Sequence, residues 1–151
     1  MKTAYTITYK ASKTFDAPLS FVYRWCTDFQ GDDLKMIGSK NERNIHEKTD
    51  RRVIWTVEGK NLKSGTDPVR AVWLRPPNSW YLEESGDIFG TGDYKLTSLG
   101  GTKTRLDMVF TETYARRSDV PAEKSLVAEA LDHWVKYGKA LERDYRNSLS
   151  R

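Results

Sequence analysis

Two glutamates are the candidates for acid–base chemistry in this sequence. Glu84 lies two residues after Leu82, and Glu112 lies two residues after Phe110. Because successive side chains of a strand point to opposite faces, residues two apart share a face, and each glutamate is predicted on the apolar face of its strand. A carboxyl group in an apolar cavity has a raised pKa and can act as a general acid or base.

A second interpretation of the same two residues involves no catalysis. Glu84 and Glu112 both lie near the predicted ends of their strands, where a carboxylate reaches solvent or pairs with an arginine. The sequence therefore leaves the catalytic residues undetermined, with these two as the candidates.

The histidines and the cysteine do not form a recognisable site. His46 and His133 have no carboxylate or second histidine at ligand spacing, so a zinc site is not predicted. Cys26 is the single cysteine, which excludes an internal disulfide and a cysteine-cluster metal site. We interpret it as a small apolar residue on a helix. The sequence thus predicts neither a metal nor a cofactor.

Composition indicates one folded domain spanning residues 1–151. Charged residues make up 30% of the chain, and aromatic residues make up 12%, including five Trp and eight Tyr. The net charge of +4 is spread along the chain, and the aromatic residues are in phase with the core, so a nucleic-acid partner is not predicted. There is no signal-peptide core and no apolar run of roughly 20 residues, so we expect a cytoplasmic protein without stable membrane insertion.

The chain begins with the clearest strand pattern. From Ala4 to Phe15 apolar and polar residues alternate, and Asp16 and Pro18 then predict the cap and first turn of a helix that ends near Thr27. A short helix or turn is expected at 30–40 and a polar loop at 59–67. Turn residues separate the further predicted strands, which are Arg43–Lys48, Arg52–Glu58, Pro68–Arg75, Trp80–Ser85, Asp87–Ser98 and Thr102–Tyr114.

A long amphipathic helix ends the chain. We predict Asp119 as its cap and Pro121 in its first turn, and the helix continues for about 28 residues to near Ser148. At a rise of 1.5 Å per residue it is about 42 Å long, so it must cross the sheet. Its apolar stripe is Val120, Val127, Ala130, Leu131, Trp134, Tyr137, Leu141 and Tyr145.

The order of elements predicts an α+β fold. About six or seven antiparallel strands form a strongly curved sheet around the C-terminal helix, with one or two short helices after the first strand. The segment Phe15–Asp28, F-D-A-P-L-S-F-V-Y-R-W-C-T-D, resembles the opening of the START-like, or SRPBCC, superfamily. This superfamily includes polyketide cyclases and the birch-pollen-allergen group and has the helix-grip fold. The segment Gly92–Leu106 looks like the penultimate hairpin of that superfamily, and the long final helix also matches.

This resemblance implies a cavity that binds lipids, polyketides, hormones or other apolar small molecules. It supplies no common catalytic set. We predict that the sheet and the final helix supply the cavity lining, and the alternative is a solid aromatic core without a useful void. The predicted ligand-binding residues are Tyr9, Trp55, Trp80, Leu82, Tyr94, Met108, Phe110, Trp134, Tyr137 and Leu141.

Three functional hypotheses remain open. The first is binding of a hydrophobic small molecule or lipid between the curved sheet and the C-terminal helix. The second is a polyketide cyclase or dehydrase type of enzyme, in which an inward carboxylate or tyrosine transfers a proton next to a carbonyl. The third is a partner-binding module with an exposed apolar patch. A homodimer is compatible with each of them.

Overall fold

Seven strands form one antiparallel sheet in which the first and last strands are neighbours. The computed structural model describes residues 4–29, 42–58, 69–85 and 89–150. The strands are β1 (Tyr5–Phe15), β2 (Glu42–Lys48), β3 (Arg52–Glu58), β4 (Val69–Arg75), β5 (Ser79–Ser85), β6 (Phe89–Gly100) and β7 (Lys103–Tyr114). Their order across the sheet is β1-β7-β6-β5-β4-β3-β2. The α-helices within these described residues are α1 (Leu19–Thr27) and α2 (Glu123–Leu149).

This architecture confirms the predicted fold class. The α+β order, the antiparallel curved sheet, the short helix after β1 and the long final helix are all present. The predicted strand Arg52–Glu58 has the same bounds in the structure, and Gly100 and Gly101 adopt the positive φ expected of the β6–β7 turn. The predicted short helix at 30–40 and the loop at 59–67 lie outside the described residues, as does the predicted start of β6 at Asp87.

Alternation along β1 determines which face of the sheet is buried. Tyr9, Ala11 and Phe15 point inward and are buried, whereas Lys10, Ser12 and Thr14 are exposed. β1 pairs with β7 along its whole length, with Tyr9 opposite Phe110. On the outer face, hydroxyl side chains from the two strands contact each other, as Thr8 and Thr111 do at 3.2 Å. The sheet therefore has one apolar face and one polar face.

Both predicted helix caps are wrong. Helix α1 begins after Pro18 with no side-chain cap, and the backbone N–H of Asp16 instead donates to Glu142 on α2 (2.8 Å). Asp119 lies in a 3-10 turn, Arg117–Asp119, and the residue that precedes α2 is Ala122. Each aspartate is separated from its helix by an extended proline-containing segment, so its carboxylate is too early in the chain to reach the first helical N–H groups.

The closest backbone approach of α2 to the sheet is along β1. At this contact Gly138 lies against Phe15, and a Cβ atom at Gly138 would be 3.2 Å from the Phe15 ring. Phe15 is fully buried and also packs edge-on against Trp134, with ring centroids 6.1 Å apart. Leu126, Ala140 and Leu141 complete the buried side of the helix. The absent side chain at 138 therefore allows the helix to lie close to the first strand.

One buried hydroxyl connects the sheet to the turn before α1. The Thr104 side chain, on β7, is fully buried and donates a hydrogen bond to the backbone carbonyl of Ala17 (2.8 Å). Ala17 is also fully buried. Because buried carbonyl groups need a partner, this bond holds the Asp-Ala-Pro turn against the end of the sheet.

We expect Thr104→Val to lower the free energy of unfolding by about 1–3 kcal/mol, because it keeps the side-chain shape but removes the donor for the Ala17 carbonyl. Urea unfolding followed by far-ultraviolet circular dichroism measures this change. Thr8→Val is the matched control, since its hydroxyl lies on the exposed face. A loss in Thr104→Val no larger than that in Thr8→Val would show that the bond does not hold the turn.

Candidate functional site

The strand register aligns inward side chains in rows across the sheet. Phe110 lies opposite Tyr9 on one side and Gly92 on the other, and Gly92 lies opposite Leu82 on β5. The neighbouring row contains Met108, Tyr94 and Trp80. The periodicity of the sequence predicts this sharing of one face, and the antiparallel pairing brings residues from distant parts of the chain together.

Tyr94 is the centre of a cluster of aromatic rings on this face. Its ring stacks almost parallel on Trp80, with centroids 5.0 Å apart and an interplanar angle of 8°. Phe110 packs edge-on at 5.7 Å, and Trp134 from α2 lies at 6.1 Å. Tyr9 extends the cluster by stacking on Phe110 at 5.0 Å. The rings of Trp134 and Tyr94 thus bridge the gap between the helix and the middle of the sheet.

Tyr94 lies on the inner face of the sheet and is only partly buried. Burial raises the pKa of its hydroxyl, and the side chain retains accessible surface. Cys26 on α1 is similar, since burial raises its thiol pKa and the residue is also only partly buried. Accessible surface on these side chains is what the predicted cavity between the sheet and the helices requires.

The ten predicted ligand-binding residues fall into two groups. Leu82, Tyr94, Phe110, Trp134 and Tyr137 are partly exposed. Tyr9, Trp55, Trp80, Met108 and Leu141 are buried, with at most 6% of their surface exposed. The first group retains accessible surface, whereas the second group lies in the core. Their contact with a ligand remains a prediction.

Trp55 belongs to a separate aromatic cluster near β2. It stacks on Phe29 with centroids 5.0 Å apart, and the guanidinium of Arg43 lies over both rings, 4.9 Å from Trp55 and 5.2 Å from Phe29. Cation–π contacts of this kind are stronger when the cation is partly desolvated. The indole N–H of Trp55 has no hydrogen-bond partner among the described residues.

Glu112 points inward and is held by two tyrosines. Its carboxylate accepts hydrogen bonds from the Tyr9 hydroxyl (2.9 Å) and the Tyr114 hydroxyl (2.5 Å). Burial raises the pKa of both phenols, and the neighbouring negative carboxylate raises it further. Within the described part of the chain, no basic side chain forms an ion pair with Glu112. This carboxylate is therefore oriented by neutral donors rather than neutralised by a cation.

Glu84 has a different environment on the same face. It forms an ion pair with Arg70 on β4 at 2.9 Å, and both side chains are a little over one quarter exposed. The Nε atom of Arg70 is buried without a hydrogen-bond partner among the described residues. Of the two glutamates, Glu84 thus has the arginine partner that the non-catalytic interpretation expects, and Glu112 does not.

Sequence reasoning missed several residues that form this site. Arg70 is two residues before the buried Val72, and Tyr114 is two residues after Glu112, so the alternation that selected their neighbours also applies to them. Gly90 and Gly92 occupy inward positions of β6, where they provide space rather than a side chain. The two-residue alternation and the pair of glycines on β6 were both visible in the sequence.

The described residues contain no group of three or more potential metal ligands close enough to hold an ion. His46 lies on the exposed side of β2, and its Nε2 is 2.9 Å from the hydroxyl of Thr56. Within the described chain, no helix combines the length and the apolar character needed to cross a membrane.

This arrangement is the helix-grip fold, and comparison with solved structures supports that assignment. No protein-family model and no curated protein matches the sequence. The ZhuI aromatase/cyclase from Streptomyces sp. R1128 is 14% identical with a TM-score of 0.68, covering 92% of this chain and 95% of its own. The helix-grip fold that the resemblance implies is thereby confirmed.

Two further structures share the fold. Norcoclaurine synthase from Thalictrum flavum has a TM-score of 0.69 at 6% identity, with 91% of this chain and 87% of its own covered. Ara h 8.0201 has a TM-score of 0.65 at 14% identity, with 95% of this chain and 99% of its own covered. At these identities the likeness establishes the fold, and the chemistry depends on the residues of this chain.

The raised pKa values predict a loss of stability in alkali. The folded protein keeps the protons of Tyr9 and Tyr114 at a pH where phenols of the unfolded chain, with pKa near 10, have lost them. Their contribution to stability is therefore complete below about pH 10 and is lost as the pH rises above it. Urea unfolding at a series of pH values should give a less steep decline for Tyr9→Phe than for the wild type. Equal slopes would contradict the proposed environment of Tyr9.

Proposed function

We propose that this protein binds an apolar small molecule or lipid between the curved sheet and α2. The observation that supports this proposal is the accessible surface on rings that face the interior, above all Tyr94. A tightly filled core leaves no such surface. Phe110 and Leu82 border the same space from the sheet, and Trp134 borders it from the helix.

The energetics favour a ligand with a planar or apolar body. Each 100 Å² of apolar surface removed from water contributes about 2.5 kcal/mol to binding. The edges and faces of Tyr94, Phe110 and Trp134 can also pack against a ring. Two solved structures with this fold have the names of enzymes, an aromatase/cyclase and norcoclaurine synthase.

The cellular location and the oligomeric state are predictions from the sequence. We infer that the protein acts in the cytoplasm, and cell fractionation tests this. A homodimer is tested by analytical ultracentrifugation. Ligand binding as proposed needs only one chain, because all the residues named belong to a single sheet and helix.

Replacement of Tyr94 should weaken binding of an apolar probe. In Tyr94→Ala the ligand loses contact with a central ring. We expect this change to weaken the binding of an environment-sensitive naphthalene fluorophore about tenfold or more. The control is Tyr81→Ala, which removes the same side chain from the outer face of the sheet, where Tyr81 packs on Trp73. Fluorescence titration measures both. Equal affinities in the two variants, or no binding by the wild type, would contradict the proposal.

A second candidate function is proton transfer next to a carbonyl, with Glu112 as the base. Glu112 supports it because two phenols orient the carboxylate and no described basic side chain pairs with it. The carboxylate would remove a proton from the carbon beside a bound ketone, and a tyrosine hydroxyl would donate a hydrogen bond to the resulting enolate. Glu84 is the poorer candidate, since Arg70 holds its carboxylate.

Hydrogen–deuterium exchange of a phenyl-substituted ketone in heavy water tests this second function. We expect the wild type to accelerate exchange at the carbon next to the carbonyl, and Glu112→Gln to reduce that acceleration on the order of a hundredfold. Glu83→Gln is the control, because Glu83 lies on the outer face beside Tyr81. Nuclear magnetic resonance measures the exchange of the ketone. If the ketone exchanges at the same rate with both variants, Glu112 is not the base.

A further inference from the structure

Two aromatic side chains lie on the outer, polar face of the sheet. Trp73 on β4 is directly opposite Tyr81 on β5, and their ring centroids are 5.9 Å apart. Each follows or precedes a residue that packs in the core, Val72 on β4 and Leu82 on β5, so both rings are out of phase with the core. Both are only partly buried. A pair of aromatic rings on a solvent-facing surface is a feature that marks binding sites.

A groove open to solvent lies beside this aromatic pair, at the end of β4. Its volume of about 590 Å³ falls in the range of roughly 300–1,000 Å³ that is typical of small-molecule sites. The residues that line it are Asp50, Arg51, Trp73, Leu74, Arg75 and Pro76. None of them is among the residues proposed to contact a ligand between the sheet and α2. We call it the β4 groove.

Two unpaired cations line the β4 groove. Within the described part of the chain, neither Arg51 nor Arg75 forms an ion pair. The next residue along the chain, Arg52, is by contrast paired with Glu47 at 2.6 Å. A guanidinium matches the geometry of a phosphate group with two parallel hydrogen bonds. Two such groups at one groove therefore favour a ligand that carries phosphate.

The contacts of the protein itself hold these two arginines near each other. The Thr49 hydroxyl accepts a hydrogen bond from the backbone N–H of Arg51 (3.2 Å), and the Arg51 carbonyl accepts one from the N–H of Leu74 (2.8 Å). The turn before β3 is thereby fixed against the end of β4. The guanidinium of Arg75 lies over the Tyr81 ring, 5.6 Å from its centroid. A ligand thus meets cations whose positions are largely set before it binds, which lowers the entropy cost of binding.

Asp50 and Trp73 add two further kinds of contact to the groove. Among the described residues, Asp50 has no ion-pair partner, so its carboxylate can accept hydrogen bonds from a ligand. In nucleotide-binding folds a carboxylate commonly accepts from the ribose hydroxyls. The indole of Trp73 provides a face on which a base can stack. The groove therefore combines an aromatic face, two cations and an acceptor, which correspond to the base, the phosphates and the ribose of a nucleotide.

We propose that the β4 groove binds a nucleoside diphosphate. Its base lies against Trp73, and its two phosphate groups lie between Arg51 and Arg75. Its ribose hydroxyls donate hydrogen bonds to Asp50. A groove with one indole and two cations suits a single nucleotide, whereas a single-stranded nucleic acid needs a series of rings along a basic track. This site is additional to the proposed function, because it uses none of the interior residues.

Three probes separate the parts of this ligand: ADP, adenosine and pyrophosphate. Calorimetric titration at low salt should show ADP binding about tenfold or more tightly than either of the others, because only ADP contacts both the ring and the cations. Arg51→Gln and Arg75→Gln should each weaken ADP binding about tenfold and leave adenosine binding unchanged. Trp73→Leu should weaken the binding of ADP and adenosine but not that of pyrophosphate. Circular dichroism verifies that each variant is folded.

Arg105→Gln is the matched control, because Arg105 is already paired with Asp107 at 3.0 Å, and this variant should bind ADP as the wild type does. Equal weakening in Arg105→Gln would indicate general attraction to a positively charged protein, and pyrophosphate binding as tightly as ADP would indicate a site for anions alone. Tighter binding of a strand of about ten adenine nucleotides than of ADP, lost in Trp73→Leu, would assign the groove to single-stranded nucleic acid. Each of these results, or no binding of ADP, overturns the proposal.

The naphthalene fluorophore separates this site from the interior one. If the β4 groove holds ADP, the fluorophore should bind with the same affinity in the presence and absence of saturating ADP. Competition between the two would place ADP in the interior and contradict the groove as its site. Failure of the fluorophore to bind would overturn the interior site and leave the ADP titrations as the test of the groove.

Discussion

A straight helix can lie close to a curved sheet along only a small part of it. In this protein the close contact is at β1, where Gly138 lets α2 approach Phe15. The sheet then curves away, and the distance to the helix becomes too large for small side chains to fill. The size of the aromatic residues on β5, β6 and β7, and of Trp134 on α2, follows from that separation. The proposed ligand site lies in the same separation.

The polar groups of the interior depend on this geometry as well. Glu112 is on the strand next to β1, and its two tyrosine donors come from β1 and β7. The strand that anchors the helix therefore also supplies one of the two donors that orient the carboxylate. Arg70 and Glu84 lie on the opposite side of Gly90, on strands farther from the helix contact. The inner face therefore combines an apolar cluster with a carboxylate on β7 and an arginine–glutamate ion pair between β4 and β5.

Most of the fold could be predicted from the sequence, because the strand alternation and the helical repeat of apolar residues are both long and regular. The alternation of β1 and the stripe of α2 gave the correct elements, and the turn glycines gave the β6–β7 hairpin. The helix caps could not be predicted, since Asp16 and Asp119 are good cap residues whose position depends on the path of the chain before each proline. The inward face was predictable, but the partners of its charges were not. Whether Glu84 meets Arg70 depends on the register between β4 and β5, and periodicity does not determine register.

Because Gly92 contacts the Tyr94 ring, the depth of the interior depends on the residue at position 92. Because the ring lies where a Cβ atom would be, any larger residue at 92 must lift the ring from the floor of the sheet toward the helix. The glycine at 92 thus determines how low the Tyr94 ring lies on the sheet, and with it the height of the interior between β6 and Trp134 on α2.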